Sequence, residues 1–137
     1  MPESFTIINE THPTDVDVTL DGDRIRLTPN AVERALGWAL QTEGFCRDGV
    51  CVPVREGSSV VVGGSVDLAA LADLLGRPLA IDIDERAAVM GASAQDRAMT
   101  LSSLEAPDFT LPDLDGRMHS LSAHRGRKVF LAVWASW

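Results

Sequence analysis

The sequence is poor in cysteine, in positive charge and in long apolar runs, and each shortage excludes a class of protein. Two cysteines in 137 residues are too few for a secreted fold held together by disulfides. A net charge of −8 argues against nucleic acid or an anionic membrane surface as a partner. No apolar run approaches the roughly 18 residues of a membrane span, and residues 1–21 lack the apolar region of a signal peptide. We therefore expect a cytoplasmic protein with no nucleic-acid or membrane partner.

Apolar residues make up 45% of the sequence, which is enough for a small core. A length of 137 residues allows one domain, or a small domain with part of another. The clearest local pattern predicts a β-hairpin, because alternating apolar residues in Val16–Leu20 and Asp23–Leu27 flank Asp21-Gly22. Asp-Gly supplies the positive φ of a tight two-residue turn.

A helix is predicted after this hairpin, and it runs to about Leu40. Two residues can serve as its N-cap. Thr28 as the cap places Pro29 at the first helical position, where proline fits best. Asn30 as the cap pairs instead with Glu33, as in a capping box.

The remaining patterns predict short strands and helices separated by glycine, proline and serine. In order they are a strand over Ser58–Val62, a helix from Ser65 to Leu75, a strand over Leu79–Ile83, a helical turn over Asp84–Met90 and a helix from Ser93 to about Leu104. We predict an α+β fold with a small α+β domain over residues 1–92, a helical connector over 93–105 and a further segment over 106–137.

The two cysteines lie on either side of a second Asp-Gly turn signal. If Asp48-Gly49 forms a two-residue loop, Cys46 faces Cys51 across the hairpin, with Cα atoms about 4.5 Å apart. This distance lies at the short end of the range that a disulfide tolerates. Arg47 is a cation that favours the thiolate of Cys46, whereas Asp48 opposes it.

Three interpretations of the pair stay open. The first is a redox pair, in which Cys46 and Cys51 exchange disulfides with a partner. The second is a soft-metal clip for zinc or copper, completed by His12, His119 or His124, although no cofactor is the default expectation. The third is a pair of thiols, or a structural bridge, that stabilises the hairpin.

Two other groups of residues have some features of a functional site. Asp82, Asp84 and Glu85 are close enough in sequence for an acid pair, but strand alternation places the aspartates on the solvent face. The Gly63-Gly64-Ser65 turn before a helix has the free N–H groups of an anion site, but it lacks the lysine and spacing of a phosphate loop. The sequence favours a solvated edge and a plain turn, respectively.

The last quarter of the chain carries a set of short motifs. They are Ala106-Pro107-Asp108-Phe109, Asp115-Gly116, Ser120-Leu121-Ser122, Arg125-Gly126 with Lys128, and Trp134-Ala135-Ser136-Trp137. In this order and spacing they resemble the start of the redoxin family, which includes alkyl hydroperoxide reductase, thiol-specific antioxidant and TlpA-like thioredoxins. The resemblance implies the first hairpin and strand of an incomplete thioredoxin-like fold. It also implies thiol-disulfide or peroxide chemistry with a thiol/disulfide protein or a peroxide as partner.

The resemblance places the family's redox cysteine just beyond Trp137, so Trp134, Ala135, Ser136 and Trp137 would flank an active site that this chain does not contain. Three explanations account for the missing cysteine: a cloned fragment, a truncated product, or a selenocysteine codon read as a stop. The downstream nucleotide sequence distinguishes them. The apolar run Val129–Trp134 predicts a buried strand. Left unpaired, such a strand predicts a homodimer in which two copies share it.

Overall fold

The computed structural model describes residues 1–135 and shows a mixed α+β architecture. The chain divides into two compact units, Met1–Thr100 and Leu101–Trp137. The division falls inside the segment 93–105 that was predicted as a helical connector. Ser136 and Trp137 lie outside the described residues.

The first unit contains ten strands and two helices among the described residues, and a third helix crosses its end. The strands are β1 (Glu3–Asn9), β2 (His12–Asp21), β3 (Arg24–Leu27), β4 (Ala39–Gln41), β5 (Gly44–Arg47), β6 (Val50–Val52), β7 (Val61–Val62), β8 (Ser65–Asp67), β9 (Leu79–Asp82) and β10 (Ala87–Met90). The helices are α1 (Pro29–Leu36), α2 (Leu68–Leu74) and α3 (Ala94–Ser102).

Seven of these strands form one sheet in the order β7-β8-β3-β2-β1-β10-β9. Neighbours are antiparallel except for β1 and β10, which are parallel. The core lies against α1 and α2, where alternate residues of the strands are buried together with one side of each helix. The members of this core with almost no exposed surface include Phe5, Ile7, Val18, Ile25, Leu27, Val32, Leu36, Val66, Leu68 and Leu71.

The first predicted hairpin is confirmed, but its turn is one residue further along the chain. Asp21 pairs with Arg24, so the loop is Gly22-Asp23. Gly22 has φ +60°, whereas Asp23 is not in the left-handed region. A glycine at the first central position is what a type II′ turn requires, and its twist matches that of the strands.

Helix α1 begins at the first of the two predicted caps and ends earlier than predicted. Thr28 is the N-cap and accepts a hydrogen bond from the backbone N–H of Ala31 at 3.2 Å. Gly37 ends the helix with φ +74°, and its N–H donates to the carbonyl of Glu33. The predicted extension to Leu40 is therefore wrong, since Leu40 lies in β4.

Two further predictions are corrected by the tertiary structure. Ser65 belongs to β8 and does not cap the next helix; the cap of α2 is Asp67, whose carboxylate accepts from the N–H of Ala70 at 3.0 Å. The segment Asp84–Met90 is not a helical turn. It contains a tight turn and then β10, which is stabilised by strand neighbours on both sides.

A buried arginine joins the end of α2 to the sheet. The Arg77 Nε donates to the carbonyl of Gly91 at 2.7 Å, and Nη2 donates to Asn9 Oδ1 at 2.7 Å and to the carbonyl of Met90 at 3.1 Å. Glu10 lies 3.7 Å from Nη2. Burial lowers the pKa of Arg77, and the charge of Glu10 opposes that shift. No local sequence pattern singles out Arg77, because its hydrogen-bond partners lie 13 to 68 residues away along the chain.

The second unit is short and largely exposed within its described part. It contains β11 (Thr110–Pro112), β12 (Met118–Ser120) and a 3₁₀ helix over Leu121–His124. The two strands form the predicted hairpin, and the 3₁₀ helix follows it directly. Residues 129–135 have no regular secondary structure, so the predicted strand over Val129–Trp134 is wrong in this structure.

Candidate functional site

The two cysteines lie in a separate three-stranded sheet of the first unit, with strand order β4-β5-β6. Asp48 and Gly49 form the loop between β5 and β6 and both have positive φ, 51° and 80°. This is the conformation of a type I′ turn, which sets the predicted register. Cys46 faces Cys51, and their Cα atoms are 4.0 Å apart.

Cys46 and Cys51 are joined by a disulfide. The sulfur atoms occupy different environments, because β5 is the middle strand and β6 is an edge strand. Cys46 is 8% exposed, with Ala39 beside it on β4, whereas Cys51 is exposed. The bond is compatible with a structural bridge and with the oxidised form of a redox pair.

The opposite face of the same sheet packs on the core. Alternation along the strands places Phe45 and Arg47 of β5, and Val52 of β6, on the side away from the cysteines. Phe45 is fully buried, and Val52 is partly buried against the core. The disulfide therefore lies on the outer face of a sheet whose inner face is anchored.

Arg47 is held on the inner side by an aromatic ring and does not lie beside Cys46. Its guanidinium carbon lies 4.8 Å from the centroid of the buried Trp38 ring, in a cation–π contact. Its Nε lies 3.8 Å from the carboxylate of Asp48. In the oxidised hairpin Arg47 therefore contacts both Trp38 and Asp48, the first residue of the turn.

Gly44 sets how closely β6 approaches the start of β5. Its φ is +128°, and a Cβ on this residue would overlap the carbonyl oxygen of Val52. Only glycine adopts this backbone conformation readily and leaves room for the neighbouring strand. The sequence Glu-Gly-Phe-Cys did not reveal this requirement, because it depends on what packs against Gly44.

The inner face of the hairpin also lines a cavity of about 610 Å³ in the first unit. Trp38, Arg47 and Val50 contribute to one wall, and Arg77 and Asp96 contribute elsewhere. Within the described part of the chain, the buried Nε1 of Trp38 and Nη1 of Arg77 have no hydrogen-bond partner. Sequence reasoning missed this cavity, since its lining residues are scattered along the chain.

The three histidines proposed as further metal ligands lie on different elements. His12 begins β2, and His119 and His124 belong to the second unit. Among residues 1–135, no group of three or more histidine, cysteine or acidic side chains is arranged to hold a metal ion. The exposed Asp82 accepts a hydrogen bond from the N–H of Glu85 at 3.0 Å, which is a turn contact.

The Gly63-Gly64 turn also has a structural role. Both glycines have positive φ, and they connect β7 to β8 in a hairpin. The turn leads into β8 and not directly into a helix, so the N–H geometry of an anion site at a helix start is not formed.

In the second unit, the short motifs of the sequence hold the hairpin together. Asp108 accepts a hydrogen bond from the N–H of Ser122 at 2.8 Å, and the hydroxyls of Thr110 and Ser120 are 2.7 Å apart. These contacts tie the segment before β11 to the 3₁₀ helix after β12. Hydrogen bonds from Ser122, first from its side chain and then from its backbone, lower the pKa of Asp108.

Asp113 organises the turn between the two strands. Its Oδ1 accepts from the N–H groups of Asp115 and Arg117, both at 2.9 Å, and its Oδ2 lies 2.8 Å from His119 Nε2. The hydrogen bond with His119, followed by that from Arg117, lowers the pKa of Asp113. The predicted Asp115-Gly116 turn thus depends on a carboxylate two residues earlier.

These two carboxylates predict an acid-sensitive hairpin. The pKa of each carboxylate is lower in the folded state than in the unfolded chain, so its charged form stabilises the hairpin. This stabilisation is complete above the ordinary aspartate pKa of about 3.9. It is lost as the pH falls through the lower pKa of the folded state. We expect the amide resonances of Arg117 and Ser122 to titrate with midpoints below the ordinary value. Asp108→Asn should abolish the Ser122 titration and leave that of Arg117. Midpoints at or above the ordinary value would contradict the assignment.

The segment after the 3₁₀ helix exposes large apolar side chains. Phe130 is 94% exposed and Trp134 is 82% exposed, and Ala135 is exposed beside it. Leu131 and Trp134 line a shallow apolar groove together with Phe109 and Leu111. The predicted role of Ser136 and Trp137 lies outside the described residues, and pairing of two copies through this segment stays a prediction.

Comparison with known proteins gives one short region of similarity. Thirty-two residues, 23% of the chain, are 56% identical to the thiol-disulfide oxidoreductase ResA of Geobacillus thermodenitrificans (strain NG80-2). A match of the same length and identity is found to the thiol-disulfide oxidoreductase ResA of Geobacillus kaustophilus (strain HTA426). Each match covers 18% of the relative, so the chain spans less than a fifth of the proteins it resembles.

Broader comparisons find nothing further. No protein-family model matches the chain. No solved structure matches it. Within the described residues, none of the helices is both long enough and apolar enough to span a bilayer.

Proposed function

We propose that this chain is the N-terminal part of a redoxin-type thiol-disulfide oxidoreductase, or of a related peroxiredoxin. The observation that carries the proposal is the 56% identity over 32 residues to two thiol-disulfide oxidoreductases. The hydrogen bonds of Asp108 and Asp113 support it, because they give the redoxin-like motifs a structural role in one hairpin. A thiol/disulfide protein or a peroxide is the proposed substrate.

Within these 137 residues, any thiol chemistry must come from Cys46 and Cys51. The redoxin-like segment contains no cysteine, and Cys46 and Cys51 are the two cysteines of the sequence. In the first unit they form a disulfide between the buried Cys46 and the exposed Cys51. We propose that this chain alone has no thioredoxin-type activity from its second unit.

An insulin-reduction assay on this chain with dithiothreitol tests the proposal. We expect at most slow turnover above the rate with dithiothreitol alone, and we expect this excess to disappear in the Cys46→Ser/Cys51→Ser double variant, because the chain contains no other thiol. A peroxidase assay with the same two proteins is the parallel measurement. Clear turnover that survives removal of both cysteines would defeat the proposal.

A redox-sensing module is the second candidate function, and the placement of Cys51 on an exposed edge strand favours it. In the cytoplasm, where we propose that the protein resides, persistent disulfides are rare and those that form are usually transient, catalytic or sensing. A sensor would cycle between thiols and disulfide without turning over insulin. Reversible oxidation of both thiols without turnover in the same assay would favour this function.

A further inference from the structure

We propose that Cys51 is the sulfur at which the Cys46–Cys51 disulfide exchanges with an incoming thiol, and that Cys46 is the leaving sulfur. The ligand class is a thiolate, from a small thiol or from a cysteine-containing polypeptide. The inference deepens the redox role of this pair within the proposed function and rests on it. It assigns the two cysteines different tasks, which their symmetric positions in the hairpin sequence do not suggest.

The first step of the argument is the difference in burial. The outer face of the small sheet carries one row of residues across the strands, namely Ala39, Cys46 and Cys51. Cys46 is in the middle of this row and is 8% exposed. Cys51 is at its end, on an edge strand, and is exposed. A thiol from solution therefore reaches Cys51 without moving a neighbouring strand.

The second step is the direction of attack. A thiolate displaces one sulfur of a disulfide from the side opposite the sulfur that leaves. The bridge connects β5 to β6, so attack on Cys51 comes from beyond the sheet edge, where no further strand pairs with β6 in the described structure. Attack on Cys46 would have to come across β4, over Ala39. The exposure of the sulfur and the direction of attack thus both favour Cys51.

The third step is the backbone beside Cys51. In a hairpin with a two-residue loop, Arg47 and Val50 form the hydrogen-bonded closing pair, and the next pair, Cys46 and Cys51, is not hydrogen-bonded. The short separation of the two Cα atoms, 4.0 Å, agrees with this. The N–H and C=O of Cys51 therefore point away from β5, toward the open edge. An extended polypeptide thiol can pair with them, whereas a small thiol gains much less.

The exchange balances in two steps. A thiolate RS⁻ attacks the Cys51 sulfur, which forms an RS–S bond and releases the Cys46 thiolate, and this thiolate takes a proton from water. A second thiolate RS⁻ then attacks the RS sulfur of this mixed disulfide. The product RS–SR forms, and the Cys51 thiolate is released and protonated. Two thiols are oxidised to one disulfide, and the Cys46–Cys51 pair accepts the two electrons.

Trapping the mixed disulfide in the unmodified chain tests the proposal. The oxidised protein is incubated with glutathione, quenched with N-ethylmaleimide and mapped by mass spectrometry. We expect glutathione on Cys51 and maleimide on Cys46 in at least tenfold excess over the reverse pattern. A cysteine-containing peptide replaces glutathione in a second arm, and faster capture of the peptide identifies a polypeptide thiol as the better substrate.

The outcomes separate this inference from the proposed redox function. Glutathione on Cys46, or equal amounts on both residues, overturns the assignment while leaving the pair redox-active. No adduct on either residue, with the disulfide intact, overturns the redox role of the pair and the inference with it.

The single-cysteine variants provide a second measurement. Cys46→Ser leaves Cys51 as the only thiol, and Cys51→Ser leaves Cys46. With circular dichroism confirming that both variants fold, we expect a disulfide reagent to react with the Cys46→Ser variant at least tenfold faster than with Cys51→Ser. Equal rates would contradict the difference in access on which the proposal depends.

Discussion

Replacing Arg77 with alanine is expected to lower the free energy of unfolding of the first unit by about 3 kcal/mol. The guanidinium is almost completely buried and satisfies acceptors on Asn9, Met90 and Gly91. Alanine would remove the charge and leave these acceptors without their donors in a poorly solvated position. Urea unfolding, followed by circular dichroism, measures the change.

Arg77→Lys separates the geometry of the side chain from its charge. One ammonium cannot reproduce the planar fork that reaches three acceptors, so we expect this variant to lose most of the same stability. Arg34→Ala is the matched control, because Arg34 makes an exposed hydrogen bond to the carbonyl of Asp15 at 2.9 Å. We expect the control to cost less than about 1 kcal/mol. Equal losses for Arg77→Ala and Arg34→Ala would refute the bridging role.

Replacing Gly44 with alanine is expected to destabilise the cysteine-bearing sheet by about 3 kcal/mol, from backbone strain and overpacking together. Gly44 has φ +128°, and the new Cβ would collide with the backbone of Val52 and Pro53. Because Val52 follows Cys51 directly, we also expect β6 to loosen and the disulfide to be reduced faster by dithiothreitol. Urea unfolding and the rate of thiol release measure the two effects.

Gly49→Ala is the control in the same hairpin. Gly49 also has a positive φ, +80°, but a Cβ on it would meet no atom within 4 Å. We expect this variant to cost about 1 kcal/mol, the strain of the backbone conformation alone. If the two alanine variants were equally stable, the close approach of β6 to Gly44 would not be a determinant of the sheet.

Local chemistry made several elements predictable. Asp48-Gly49 specified the loop, and the loop specified that Cys46 faces Cys51, because a two-residue turn allows only one register. Thr28 and Pro29 marked the start of α1 for a similar reason, since cap and first-turn preferences depend on adjacent backbone groups. The same motif reasoning identified the redoxin-like hairpin, whose contacts are mostly within 15 residues along the chain.

Predictions failed where a local signal competed with a distant partner. The residues after Gly37 continue a helical pattern, but Leu40 of β4 pairs with Phe45 of β5, and both side chains pack against the core. Asp84–Met90 lacks strand character in isolation. Ala87–Met90 nevertheless forms a strand, because β1 and β9 supply hydrogen bonds on either side. Periodicity within a segment contains no information about such neighbours.

The amino-acid sequence by itself determined the α+β composition, the pairing of Cys46 with Cys51 and the likeness of the last quarter of the chain to a redoxin. These depend on turn residues, on spacing and on short motifs. Only the tertiary structure decided that Cys46 is covered and Cys51 is open, that Arg47 packs on Trp38, and that Arg77 joins α2 to two strand ends. Each of these depends on which strand lies beside which, and exposure and hydrogen bonding between distant residues arise only once the strands have assembled.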